Sequence, residues 1–212
     1  MSAQCPLCGS AGAALHARVG EWRYFQCAGC RLTFRDPAQL PGADEERRHY
    51  ALHENRSDDL GYRSFLERLA GPLGAVLPPG SAGLDFGSGP GPTLSLMLTE
   101  RGFPTGSYDP FFAPAEGVLE RRYDFVTCTE VVEHLHRPRE VFLRLDALLQ
   151  PGGWLGVMTE LRRPERGFER WWYVRDPTHV AFYERRTFDW IATWLGWRVG
   201  HAARNVILLR KP

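Results

Sequence analysis

The 212-residue chain is 43% hydrophobic and carries 26 basic against 25 acidic side chains, enough apolar material for one full domain and a small appendage. A formal net charge of +1 gives no global electrostatic signal for nucleic acid or a membrane surface. No apolar run approaches the roughly 20 residues that span a bilayer, and the N-terminus lacks the pattern of a signal peptide, so a cytoplasmic protein is expected.

Four of the five cysteines form Cys5-x-x-Cys8 and Cys27-x-x-Cys30, with eighteen residues between the pairs. The spacing is that of a four-cysteine zinc ribbon, in which two knuckles bring four thiolates into a tetrahedron. Gly9 and Gly29 are expected to support the knuckles, and Leu15 to Gln26, with Gly20 near its centre, reads as a hairpin. Two disulfides fit a cytoplasmic protein poorly, and a redox dithiol needs only one pair. Sulfur in all four positions leaves no open coordination site, so a structural zinc is expected. Cys128 falls in a core strand and is expected to be buried.

Residues 36–56 are polar and contain Pro37, Pro41 and Gly42, which reads as a linker or partly ordered arm. From Ser57 the residues Leu60, Phe65, Leu66, Leu69, Leu73 and Val76 recur at helical spacing, with a candidate break at Gly71-Pro72 and an end at Pro78-Pro79-Gly80. Tyr50 and Tyr62 lie where a segment before the first strand would cap a cofactor.

The stretch Leu84-Asp85-Phe86-Gly87-Ser88-Gly89-Pro90-Gly91 then reads as a strand, a tight turn and a helix start. The dinucleotide fingerprint would place its third glycine at position 92, which is proline. The run Asp85-x-Gly87-x-Gly89-x-Gly91 instead resembles the first motif of the class I S-adenosylmethionine-dependent methyltransferases. That resemblance implies that Gly87, Ser88, Gly89 and Gly91 admit the amino-acid end of S-adenosylmethionine, with Asp85 supporting the turn or the cofactor's ammonium.

Beyond the helix of Leu94, Met97 and Leu98, residues 104–108 read as a second strand ending at Asp109, where an acid can hold ribose hydroxyls. A turn-initiating aspartate before Pro110 is the alternative. Only thirteen residues separate Asp109 from Tyr123, too few for the full helix and third strand of the family, so Phe111 or Phe112 is expected to pack on adenine. Residues 123–135 resemble the fourth-strand motif of small-molecule methyltransferases, including those of quinone biosynthesis, with Thr129 and Glu130 on the methyl-bearing side. A helix from Pro138, the turn Pro151-Gly152-Gly153, a strand from Trp154 to Thr159, a helix from about Arg186 to Gly196 and a closing hairpin follow. Residues 160–176, with Trp171, Trp172 and Tyr173, take the place of a substrate-side lid.

Glu130, Glu133 and His134, with the distant His179, resemble the two-glutamate, two-histidine set that binds a divalent ion in RNA 3'-terminal 2'-O-methyltransferases. A divalent metal there is one reading, His134 or His179 as general base without metal is another, and plain hydrogen bonding is the third. The expected architecture is thus an α/β, Rossmann-like class I methyltransferase sheet, mostly parallel with an antiparallel C-terminal hairpin. A zinc ribbon at 1–35 and an arm at 36–56 precede the S-adenosylmethionine-binding domain at 57–212. The expected acceptor is a small organic molecule, with O-methylation favoured. RNA methylation, using Arg162, Arg163, Arg166, Arg170 and Arg175 on phosphate, and a non-catalytic adaptor are the alternatives.

Overall fold

A computed structural model of the chain describes residues 2–52 and 55–212, so that positions 53 and 54 of the polar arm lie outside the description. Two sheets organise it. The N-terminal one is antiparallel and runs β1 (Ser2–Ala3), β2 (Ala13–Val19), β3 (Trp22–Gln26), β4 (Thr33–Arg35), with a fifth strand from far along the chain added beside β4. The polar arm that follows carries a helix, α1 (Ala43–Tyr50), whose polar sequence leaves it without a buried residue.

The larger sheet begins after α2 (Leu60–Gly74), whose N-terminal amides at Gly61 and Tyr62 are capped by the Asp59 carboxylate. The helix continues through Gly71-Pro72 rather than breaking there, with Leu69 and Leu73 on either side fully buried. Leu60 and Val76, expected on the buried stripe, are 81% and 39% exposed. Leu60 is the first helical residue and Val76 lies beyond the last. Then come β5 (Gly83–Phe86), α3 (Thr93–Glu100), β6 (Thr105–Tyr108), β7 (Tyr123–Thr129), α4 (Pro138–Leu148), β8 (Leu149–Met158), β9 (Ala181–Phe182), α5 (Arg185–Leu195), β10 (Arg198–Ala203) and β11 (Val206–Arg210).

The sheet order is β10-β11-β8-β7-β5-β6, parallel from β8 to β6 and closed by the antiparallel pair β10 and β11. Every residue of β5 is buried and β7 is nearly so, as expected of parallel strands covered on both faces. Leu66, Leu69 and Leu73 of α2 and Leu94 and Leu98 of α3 pack with Phe125 and Leu208 on one face. Phe142 and Leu145 of α4 and Phe188 and Ile191 of α5 pack with Val126 and Leu155 on the other. Between Asp109 and Tyr123 there is only a bridge from Asp109 to Ala113 and a 3-10 turn at Glu116–Glu120, so the sheet ends at β6.

The fifth strand of the N-terminal sheet is β9, which pairs Thr33 with Phe182 and Phe34 with Ala181. The N-terminal sheet therefore shares main-chain bonds with the rest of the protein, and Cys5, Cys27 and Cys30 join the same apolar cluster as α4 and α5. No helix among the described residues is long and apolar enough to cross a membrane.

Leu69 is fully buried between α2 and the sheet. Leu69→Ala is expected to cost about 2–5 kcal/mol through lost transfer energy and the cavity left behind, measured by urea unfolding.

Candidate active site

The glycine turn at the end of β5 has a separate job for each glycine. Gly87 has φ +80, and a Cβ there would lie 2.5 Å from Val131 Cγ2, so both backbone angle and space require glycine. Its amide and that of Ser88 donate to the Tyr108 carbonyl at 2.7 and 3.1 Å, locking the turn to the end of β6. Gly91 is excluded from carrying a side chain by the protein itself. A Cβ there would sit 2.1 Å from the carbonyl oxygen of Asn55, which also accepts the Thr93 hydroxyl at 2.9 Å. Asn55 thus closes over the turn, a role with no signal in its polar surroundings.

The two aspartates sit at neighbouring strand ends. Asp85 is buried and accepts hydrogen bonds from Thr127 Oγ1 at 2.8 Å and Ser95 Oγ at 3.4 Å. Burial outweighs those bonds and pushes its carboxyl up to about 6. It acts on the strand interior as well as bordering the cavity. Asp109 accepts from the amides of Gly89 (2.9 Å), Phe111 (2.8 Å) and Phe112 (3.0 Å). The turn-forming alternative therefore describes what this carboxylate does in the protein, while about one of its four acceptor positions is left toward the cavity.

The cavity, about 650 Å³, is lined by Asp85, Gly87, Ser88, Gly89, Gly91, Asp109, Phe111 and Phe112 at one end. Thr129, Glu130, His134, Trp172, Tyr173, Asp176 and His179 line the other, and Tyr50 and Tyr62 also border it. Tyr50 packs edge-on to His134, ring centroids 5.0 Å apart, and 5.9 Å from Phe111. Trp171, grouped with the lid aromatics by sequence, does not line the cavity but packs behind Tyr173 with Phe168 and Phe182.

Glu133, His134 and His179 bring ligand-capable atoms within 4.8 Å of one another. Nδ1 of His134 lies 3.1 Å from the Thr178 carbonyl and Nδ1 of His179 lies 2.7 Å from the Tyr173 carbonyl. A carbonyl only accepts, so each Nδ1 is the donor and Nε2 is the ring atom left for other partners. Burial holds His134 below the usual histidine range. Burial raises the Asp176 carboxyl, but hydrogen bonds from the Thr178 side chain and amide and from His49 bring it down to about 2.

Glu130 stands apart from the three. It occupies the left-handed region at φ 51, an unfavourable place for a side-chain-bearing residue and a pattern concentrated at functional sites. Burial, then the neighbouring Glu133, pushes its carboxyl up to about 9. The Tyr173 hydroxyl lies 3.1 Å from Glu130 Oε2 and also donates to Glu133, which takes a second hydrogen bond from Thr159 at 3.0 Å. A tyrosine has one proton to give, so Tyr173 cannot donate to both carboxyls at once.

Away from the cavity, Cys5, Cys8, Cys27 and Cys30 cluster with all four sulfurs within 4.8 Å. The closest pairs, Cys5 with Cys30 at 3.5 Å and Cys8 with Cys27 at 3.4 Å, are too far apart for disulfides. They lie near the roughly 3.8 Å sulfur separation of a tetrahedral zinc site with 2.3 Å bonds. Gly9 supports the first knuckle at φ +76, but Gly29 does not support the second, where Arg31 takes the left-handed conformation at φ 64. Arg31 is anchored there by Glu184, so its ion pair and the Cys27 carbonyl, 3.0 Å from its amide, hold the strained position. Cys128 is buried in β7.

Residues 52–202 match the family described as the methyltransferase domain. The chain belongs to the methyltransferase-domain family. Its sheet is that of the class I S-adenosylmethionine-dependent methyltransferases, as comparison with solved structures also shows. It is similar to the Burkholderia thailandensis 1,6-didemethyltoxoflavin-N1-methyltransferase, which holds 1,6-didemethyltoxoflavin and S-adenosylhomocysteine. That likeness has a TM-score of 0.59 at 14% identity, covering 94% of this chain and 99% of the other. An O-methyltransferase family protein from the same organism aligns with a TM-score of 0.54 at 16% identity, over 82% of this chain and 64% of that one. A ubiquinone biosynthesis O-methyltransferase from Leptothrix cholodnii is 43% identical over 44 residues, 21% of this chain and 19% of the relative. The chain thus spans about a fifth of the length of that curated relative.

Because the folded pKa of Asp85, about 6, lies above its ordinary 3.8, the neutral acid's contribution is fully present below 3.8 and lost as pH rises through 6. Asp85→Asn, which never ionises, should gain about 2–3 kcal/mol relative to wild type between pH 4 and pH 7, measured by urea unfolding at both.

Proposed function

We propose that this methyltransferase moves the methyl group of S-adenosylmethionine to a hydroxyl of a small organic acceptor. The observation that carries the reading is the cavity itself. The glycine turn, Asp109 and the two phenylalanines at one end open without interruption onto Glu130, Tyr173 and the two histidines at the other. The first end suits the amino-acid, ribose and adenine parts of the cofactor, with Phe111 and Phe112 on adenine where the shortened segment supplies no third-strand acid. Methyl transfer is an in-line displacement at a reactive sulfonium carbon, so the protein's work is to align donor and acceptor and keep water out.

The transfer forms the acceptor's O–CH3 bond, breaks the S–CH3 bond to leave S-adenosylhomocysteine, and releases the hydroxyl proton. His134 or His179, each bonded to a carbonyl through Nδ1, would take that proton on Nε2. Glu133, His134 and His179 also fit a divalent ion, with Glu130 linked to Glu133 by two hydrogen bonds through Tyr173. Such an ion, when bound, would lower the pKa of an acceptor hydroxyl. Mixed carboxylate and imidazole donors suit magnesium, manganese, iron or zinc. The four sulfurs of the ribbon favour a structural zinc.

Charge supports a small uncharged acceptor over RNA. Among the described residues, no arginine or lysine lines the cavity. Of the arginines considered for phosphate, Arg162 is buried against Glu184 and His16, and Arg163 and Arg166 border a separate small pocket. The O-methyltransferases among the similar proteins agree with a hydroxyl acceptor, and the toxoflavin precursor bound by another agrees with a planar one that would meet Tyr50, Trp172 and Tyr173.

Saturation with S-adenosylhomocysteine at about 100 times its dissociation constant should add roughly 2.7 kcal/mol, a rise in Tm of about 5–10 °C that NADH does not produce. No rise would remove the cofactor assignment. Turnover of aromatic dihydroxy acceptors, assayed with and without a chelator, then separates metal-assisted transfer from histidine base catalysis. Metal analysis of the purified chain should find about one tightly held zinc, and Cys27→Ser should lose it together with part of the thermal stability.

A further inference from the structure

We propose that Arg35 is a positioning residue for methyl transfer, fixing from the ribbon the backbone that carries His179. It rests on the reading of His179 as an acceptor-side residue. Arg35 ends β4 and is 2% exposed. Its Nη1 donates to the Pro177 carbonyl at 2.7 Å, its Nη2 to the His179 carbonyl at 3.1 Å, and its own amide to the Val180 carbonyl at 2.8 Å. One ribbon residue thus takes three carbonyls of the four-residue stretch 177–180.

The guanidinium has no carboxylate within ion-pair distance among the described residues. It lies over the Trp22 ring, 4.1 Å from its centroid, and Nη2 reaches the Tyr24 hydroxyl at 3.4 Å. Its Nε has no hydrogen-bond partner among the described residues. A buried cation spent on backbone carbonyls, with one donor left over, is an expensive arrangement for stability alone, since a buried unpaired polar atom costs free energy. What it accomplishes is geometric, because a planar fork fixes two acceptors at once where a single ammonium fixes one.

The opposite side of the same stretch faces the cavity. The Val180 amide donates to the Glu133 carbonyl at 2.8 Å, and the His179 ring packs 4.1 Å from Tyr173 and 4.8 Å from His134, centroid to centroid. Residues 177–180 are held between the ribbon and the loop that bears Glu133. Freeing the carbonyls at 177 and 179 lets the His179 backbone shift, and with it the contact of Nδ1 with the Tyr173 carbonyl that sets its tautomer. The cofactor end makes no contact with Arg35 that would carry the change.

The test uses the full, zinc-loaded chain as wild type, Arg35→Met, Arg35→Lys and Arg23→Met. Arg23 pairs with Asp36 within the ribbon at 2.7 Å and serves as the control for ribbon stability. Long-range proton–nitrogen NMR spectra of the imidazoles report the His179 tautomer, and calorimetric titration reports S-adenosylhomocysteine affinity. Arg35→Met should lose the Nδ1-protonated signature of His179 while the dissociation constant stays within about two-fold, because distant sites behave independently. Arg35→Lys should shift the same signals by less, and Arg23→Met should leave them in place even where Tm falls equally. Wild-type His179 signals in both Arg35 variants, or an equal shift in Arg23→Met, would overturn the proposal. If Arg35→Met fails to fold, Arg35→Lys against Arg23→Met decides by the same criterion. The signals are read without any acceptor, so the outcome is separate from whether a hydroxyl compound is methylated.

Discussion

The seam of main-chain hydrogen bonds between β4 and β9 is the constraint on which the histidine end of the cavity depends. It adds a strand from the methyltransferase domain to the N-terminal sheet and continues through the Val180 amide to the carbonyl of Glu133. Buried backbone groups must be paired, so the N-terminal sheet, the His179 segment and the loop after β7 satisfy one another. Glu184 closes the same junction from the side chains. It caps α5 through Thr187 while receiving Arg162, Arg31 and Gln26.

Within that frame, the cavity is divided by charge and geometry. At the glycine-turn end, backbone amides and tight glycine angles make the surface, and Asp109 spends its carboxylate on three amides that shape it. At the other end the side chains are acids, imidazoles and aromatic rings. Burial, then the neighbouring Glu133, pushes the Glu130 carboxyl up, and the backbone at that residue is strained. Strain and hindered ionisation at one residue set this end apart from a packed interior.

Much of this was legible in the order of residues. The glycine run, the Cys-x-x-Cys pairs and the alternation of strands and helices are local patterns whose spacing carries their geometry. The short segment after Asp109 could be counted, and its result, a sheet ending at β6, followed. Less legible were features that depend on a neighbour distant in the chain. Asn55 over Gly91, Val131 against Gly87 and Arg35 on the 177–180 carbonyls have no local signature, because each is defined by the atom it meets. Arg31 replacing a glycine in the second knuckle was invisible for the same reason, since its support comes from Glu184 across the junction.

By itself, then, the sequence determined the class of fold, the glycine turn and the four-sulfur cluster, since backbone preference and ligand spacing act over a few residues. Only the tertiary structure decided how the Glu-x-x-Glu-His run is used. It placed Glu133, His134 and His179 together and linked Glu130 to Glu133 only through Tyr173. It also joined the N-terminal sheet to the wall of the cavity. Those outcomes depend on which buried donors and acceptors meet once the sheets are packed, and that is fixed by the whole chain at once.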